Sequence, residues 1–300
     1  MDFEAISKFV SHSDRVKCVD IHPVKPWILT SLHTGVVQIW NYETKTLVKA
    51  IQVRKSELFS CSENSVRSAK FIPQKNWIST ASDDRKVRIF DSESFNLIRE
   101  FEAHSDFIRS IVIHPTLPYL ISASDDKTIK VWDWKNEWRL EQQFDGHEHY
   151  VMQMAINPYD TDVLISASLD KTLKIWKLGE EKEVGMLEGH HKGVNCVAFL
   201  GKSKIVSGSD DRSIRVWDYE TKSCIESLEG SHQHNITFLS SFNDWIISGS
   251  EDNFVKIWNS KSLRLGKELN FEMGRVWCIG IEESGIISVG FDSGAVVLKI

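Results

Sequence analysis

Seven short apolar runs recur along the chain, each closing on a large side chain. They are TGVVQIW, DRKVRIF, DKTIKVW, DKTLKIW, DRSIRVW, DNFVKIW and DSGAVVL, ending at Trp40, Phe90, Trp132, Trp176, Trp217, Trp258 and Leu298. Apolar and polar positions alternate within each run, a period of two that predicts half-buried strands rather than helices. Successive closing residues are 50, 42, 44, 41, 41 and 40 positions apart. Each run follows two more alternating segments, such as FIRSIVIHP and YLISAS, and precedes an outer strand that ends before the next histidine. A four-stranded meander repeated at this interval is the signature of a propeller blade. The pattern predicts an all-β, seven-bladed propeller occupying residues 1–300 as a single domain.

Two irregularities sharpen the expectation. The last unit stops at Ile300 directly after its third strand, AVVLKI, so its sheet lacks an outer strand. Aligning Ile6, Phe9 and His12 on Ile98, Phe101 and His104 places residues 3–10 in the frame of that missing strand. The two ends of the chain would then close the ring and leave no open sheet edge. The long first interval is accounted for by RKSELFSCSE, residues 54–63, a polar insertion between the first two blades read as a solvated loop.

Counting back ten residues from each closing position gives Thr30, Thr80, Ser122, Ser166, Ser207, Ser248 and Ser288, all hydroxyls. Six residues back stand Asp84, Asp126, Asp170, Asp211, Asp252 and Asp292, with Thr34 as the exception. Histidines precede the first strands at His12, His104, His147, His190 and His232. In these features the whole chain resembles the WD40 family. That resemblance implies a buried Trp-Ser/Thr-His-Asp hydrogen-bond network stapling strands and turn. Serine, histidine and aspartate together could also form a nucleophilic triad, but one active site copied around a ring is implausible. No phosphate-binding glycine loop, H-E-x-x-H or nucleophile elbow occurs. The pairs His147/His149, His190/His191 and His232/His234 each contain the repeat histidine and have no third ligand at zinc spacing. The expectation is a non-enzymatic protein with no cofactor and no metal.

Composition narrows the field. The apolar runs are far shorter than the ~20 residues that span a bilayer, and MDFEAISKFV has no secretory-signal pattern, so an intracellular product is expected. Five widely separated cysteines without a C-x-x-C pair are expected to be reduced thiols. A net charge of -6, from 36 basic and 42 acidic residues, argues against nucleic acid as a partner.

Because the framework repeats, function is to be sought where equivalent exposed positions differ. In an up-and-down meander the start of the first strand and the turn between the second and third strands lie at the same end. The position before the turn aspartate reads His33, Asp83, Asp125, Leu169, Asp210, Glu251 and Phe291. The first-strand starts carry Arg15 and Lys17, Arg67, and then Asp106 with Arg109. Two readings stand: these charges neutralise one another in surface ion pairs, or they form a bipolar docking site for an extended ligand with an anionic end and ammonium groups.

SDRVKCVDIHPVKPWILT, WNYETKTLVKAIQV, FEAHSDFIRSIVIHPTLPYLISASDDKTIKVWDW, EGHH and WDYETKSCIESLEG, in this order, are similar to the amino-terminal propeller of the coatomer (COPI) beta-prime family. The resemblance implies capture of cytosolic cargo tails ending in a dilysine signal, K-K-x-x or K-x-K-x-x. It also implies partnership with other coatomer subunits and a cytoplasmic location, peripheral on Golgi membrane and COPI vesicles. Arg15, Lys17 and Arg67 match the residues that hold the terminal carboxylate, and Asp106, Asp125 and Asp210 those that receive the lysines. His33 stands beside the lysine-binding set where the family usually has tyrosine, so its protonation is expected to weaken tail binding. Placing Arg67 requires the strand after the insertion to stay in register. The competing reading is a WD40 scaffold of another complex.

Overall fold

The computed structural model describes residues 4–10, 14–53 and 65–299. The regular elements among them are 28 β-strands in seven antiparallel sheets of four, the blades of a seven-bladed β-propeller. No helix among the described residues is long and apolar enough to cross a membrane. Residue 3, His12, Cys61 and the 54–63 insertion lie outside the described residues. The other four cysteines, Cys18, Cys196, Cys224 and Cys278, are free thiols.

The chain divides into two compact units, residues 1–108 with 270–300, and residues 109–269. Three blades belong to the first unit. Two are sequential, Val16–Ile21 to Thr46–Gln52 and Val66–Ile72 to Leu97–Glu102. The third joins Val276–Ile281, Ile286–Phe291 and Gly294–Lys299 to the strand Glu4–Val10, which is its outer strand as expected. That strand runs antiparallel to Gly294–Lys299 with Phe9 opposite Ala295. Phe9 is buried against Trp40, ring centroids 5.0 Å apart, in a cluster with Ile21, Ile28, Ile286 and Val297. A side chain at Gly294 would run into the Phe9 carbonyl oxygen, so glycine is required for this close approach.

Second and third strands are buried because they have a sheet neighbour on both edges and, within each unit, pack against the adjacent blade. Leu29, Val37, Ile39, Ala69, Phe71 and Ile78 form such a core in the first unit, and Ile165, Leu173, Val194, Val197, Ile205 and Trp217 one in the second.

Within the second unit three blades carry the full polar network. His190 Nδ1 is 2.8 Å from Asp211 Oδ2 and its Nε2 is 2.8 Å from Ser207 Oγ, which accepts the Trp217 indole N–H at 2.8 Å. His147, Asp170, Ser166 and Trp176 repeat this geometry, as do His232, Asp252, Ser248 and Trp258. The second oxygen of each aspartate accepts the backbone N–H two residues on. It thereby caps a turn whose intervening residue, Lys171, Arg212 or Asn253, is held at φ 75, 69 or 74°. Burial opposes ionisation of these carboxyls, but the histidine contacts and turn hydrogen bonds outweigh it. Asp170 and Asp211 are held far below the usual carboxylate range and Asp252 at about 2.

The first unit departs from the uniform network that the recurrence suggests. Its blades close on Trp40, Phe90 and Leu298, and two of these have no N–H to donate, which leaves Thr80 Oγ1 and Ser288 Oγ buried without a partner. Trp40 donates to Gln38 rather than to Thr30. Asp84 is taken by Arg88, and Asp292 by Arg15, Arg275 and Trp277.

If the outer strand Glu4–Val10 closes the last sheet by packing as well as pairing, Phe9→Ala should destabilise the chain by about 3 to 5 kcal/mol. The exposed neighbour Lys8, changed to alanine, should cost no more than about 0.5 kcal/mol. Denaturant unfolding of the two variants separates these outcomes, and equal effects would contradict the packing role.

Candidate functional site

The first strand of six blades begins with a register shift, and the residue inside it is the one that varies most in chemistry: Lys17, Arg67, Met152, Asn195, Thr237 and Trp277. A bulge adds one residue and re-aims its side chain. In two blades it brings that side chain to the residue before the turn aspartate of the same blade. Arg67 binds Asp83 with both nitrogens of one guanidinium edge, Nη2 to Oδ2 at 2.9 Å. Asn195 Nδ2 donates to Asp210 at 2.6 Å. Arg109, equivalent in sequence, makes the same two-point contact with Asp125 at 2.6 and 2.5 Å. Both carboxylates in the arginine pairs are almost wholly buried, with side chains 1% and 3% exposed. Val66 pairs with Ser82 after the insertion, so the register that places Arg67 is kept.

Blade one has Lys17 in the register shift and His33, rather than a carboxylate, before the turn residue Thr34. Burial first, then the nearby charges of Lys17, Arg15 and Arg67, push the His33 pKa below that of free imidazole, with Asp83 opposing. Its Nδ1 is buried without a hydrogen-bond partner, while its backbone N–H donates to the Arg15 carbonyl at 2.9 Å. His33 thus has Lys17, Arg15 and Arg67, as well as Asp83, close enough to act on it.

The same unit gathers three cations around one indole. Lys17 Nζ lies 4.1 Å from the Trp277 ring centroid, and the guanidinium carbons of Arg15 and Arg275 lie 4.5 and 4.9 Å away. Asp292 accepts from the Nε of both arginines at 3.2 and 3.1 Å. Arg67 with Asp83 lies in the neighbouring blade of the same unit.

Asp106 belongs to the first unit, where it lines a cleft of about 510 Å³ with Asp83, Asp84, Arg88 and Phe107. Its carboxylate accepts the Phe107 backbone N–H at 2.7 Å. Asp125 and Asp210 belong to the second unit, where Asp125 is committed to Arg109 and Asp210, partly exposed, accepts from Asn195. Ion pairing within a blade, one of the two readings of these charges, is thus found for Arg67–Asp83 and Arg109–Asp125. No group of three or more histidine, cysteine, aspartate or glutamate side chains arranged to hold a metal occurs among the described residues.

Sequence reasoning missed Arg275 and Trp277 and treated Asp292 as a framework residue. A signal was present: four residues before Val276 stands Glu272, where five other blades have histidine, so Asp292 lacks the usual partner.

A family model described as "WD domain, G-beta repeat" matches residues 3–41, 53–91, 95–133, 138–177, 181–218 and 222–259. Each matched segment begins near an outer strand and ends with the third strand of the following blade, as the shared-strand frame requires. Over 298 residues, 98% of this chain, it is 44% identical to coatomer subunit beta' of Rattus norvegicus and 45% identical to that of Homo sapiens. It is 47% identical over the same length to a probable coatomer subunit beta' of Caenorhabditis elegans. The chain spans 32% of the first two relatives and 29% of the third.

The depressed basicity of His33 makes it neutral at pH 7, and it should take up a proton only as the pH falls below the free-imidazole value of about 6.5. Histidine NMR titration should place His33 below free imidazole, and Lys17→Met should raise it. An unchanged titration in that variant would contradict the proximity of the two charges.

Proposed function

The chain belongs to the WD40 family and is a homologue of coatomer subunit beta' proteins, and from that premise we propose that it is a non-catalytic cargo reader of the COPI coat. In this reading it binds the C-terminal dilysine signals, K-K-x-x or K-x-K-x-x, of membrane cargo for retrieval from Golgi to endoplasmic reticulum. It would act from the cytoplasm, peripheral to Golgi membrane and coated vesicles, alongside other coatomer subunits.

One observation carries the proposal. Arg67 and Arg109 each bind a carboxylate in their own blade, whereas Arg15, Lys17 and Arg275 converge on the single indole of Trp277. Clustered cationic donors of this kind are what a free carboxylate requires. Arg15 and Lys17 are proposed to hold the tail's terminus, with Arg67 adding field while bound to Asp83. His33 joins this group, so its protonation would favour the bound anion, opposite to the sequence expectation.

Asp106, Asp125 and Asp210 are proposed as lysine acceptors. Asp106 and Asp210 are partly exposed, which suits a hydrated ammonium. Asp125 would share its charge with Arg109, making it the weakest of the three. Such a balance of charges gives specificity more than strength, and binding near micromolar, about 8 kcal/mol, is expected.

Calorimetric titration with an eight-residue peptide ending in K-x-K-x-x tests the reading. The free acid should bind, and C-terminal amidation or Lys17→Ala should each weaken it about tenfold or more. Equal affinity for acid and amide, or no binding, would overturn it and leave a scaffold that uses its charges only to neutralise one another.

A further inference from the structure

Asp292 sits at a turn whose usual partners are missing. In the second unit the equivalent Asp170, Asp211 and Asp252 each receive a histidine, and the blade closes on a tryptophan that reaches the shared serine. The last blade has Leu298 in that place, and Ser288 Oγ is left without a partner. Its aspartate is nevertheless fully engaged. Oδ1 accepts the Trp277 indole N–H at 2.8 Å and Arg15 Nε at 3.2 Å, while Oδ2 accepts the Arg275 backbone N–H at 3.0 Å and its Nε at 3.1 Å.

Two features of this arrangement are not those of a simple ion pair. Only the Nε edge of each guanidinium is used; the Nη atoms of Arg15 and Arg275 have no hydrogen-bond partner among the described residues. Both side chains remain accessible, at 33% and 40% exposure. The seat of the carboxylate is also shaped by backbone. Gly274 is at φ 82°, and a Cβ there would stand 2.8 Å from Asp292 Oδ2 and 2.9 Å from its Cβ.

We infer that Asp292, with Trp277, is the positioning residue of the carboxylate-binding cluster: it fixes Arg15 and Arg275 by their inner edges against one indole and leaves their terminal nitrogens for an incoming carboxylate. The inference rests on the proposed reading of that cluster. Arginine recognises a carboxylate through paired N–H groups in a rigid plane. An arginine already held in one rotamer does not pay that ordering cost on binding. The turn aspartate has therefore moved from stapling its own blade to setting the geometry of the cluster.

Charge and geometry make opposite predictions for Asp292→Asn. Removing a negative charge beside the cations would by itself tighten binding of an anion. Removing the brace puts an amide N–H against the Arg275 donors and frees both guanidinium groups, which weakens it. The readout is the ratio of affinities for a peptide ending in K-x-K-x-x as free acid and as C-terminal amide, measured on the full 300-residue chain. A merely structural role lowers the folded fraction and leaves that ratio unmoved. Asp292→Asn should reduce the ratio about fivefold or more, and Trp277→Phe, which keeps a ring but loses the N–H, should reduce it in the same direction. Gly274→Ala keeps every charge and displaces the aspartate, so it should also lower the ratio; thermal unfolding verifies that each variant is folded. An unchanged or increased ratio in folded Asp292→Asn overturns the inference while the proposed function stands. A parent chain that does not distinguish acid from amide defeats the proposed function, and the inference falls with it.

Discussion

One cross-strand encounter governs the electrostatics of this molecule. A bulge at the start of a first strand aims one side chain at the residue before the turn aspartate of the same blade. Where the two are arginine and aspartate, the blade closes on itself electrically, as with Arg67 and Asp83 or Arg109 and Asp125. In blade one the two positions hold lysine and histidine, and the lysine lies over the Trp277 indole beside Arg15 and Arg275. The choice of residues at these two positions thus sets whether a blade pairs its own charges.

The two units use the turn aspartate differently. In the second, it belongs to a histidine-serine-tryptophan network that is nearly dry and fully satisfied. In the first, the closing tryptophan is replaced in two blades, hydroxyls are orphaned, and Asp84 and Asp292 bind arginines instead. A framework position can change its task in this way because the sheet is already secured by ladder hydrogen bonds and apolar packing. The proposed carboxylate-binding cluster lies in the unit where the framework is least regular, where loss of a stapling partner makes a polar side chain available for another purpose.

Much of this was legible in the residues. Period-two runs ending on an aromatic fix the blades, and the frame shared by Ile6 and Phe9 with Ile98 and Phe101 identifies the strand that completes the last sheet. Arg15, Lys17 and Arg67 could be assigned together because they start first strands. The pairing state of those charges could not. That Arg67 is committed to Asp83, and that His33 lies among cations, depends on where a bulge points a side chain, and alternation alone carries no sign of the bulge. Arg275 was legible by the same rule, since it stands directly before Val276 as Arg15 stands before Val16, but its packing on Trp277 beside Arg15 was not.

The central proposal is that Arg15 and Lys17 of blade one hold the free end of a protein tail. A crystal structure of the chain with a bound K-x-K-x-x peptide tests it most directly. The account predicts the terminal carboxylate within about 3 Å of nitrogen atoms of both Arg15 and Lys17, with the Arg67–Asp83 pair intact. A peptide seated with its carboxylate away from these residues, or one that displaces Asp83 from Arg67 while ignoring Lys17, would contradict it.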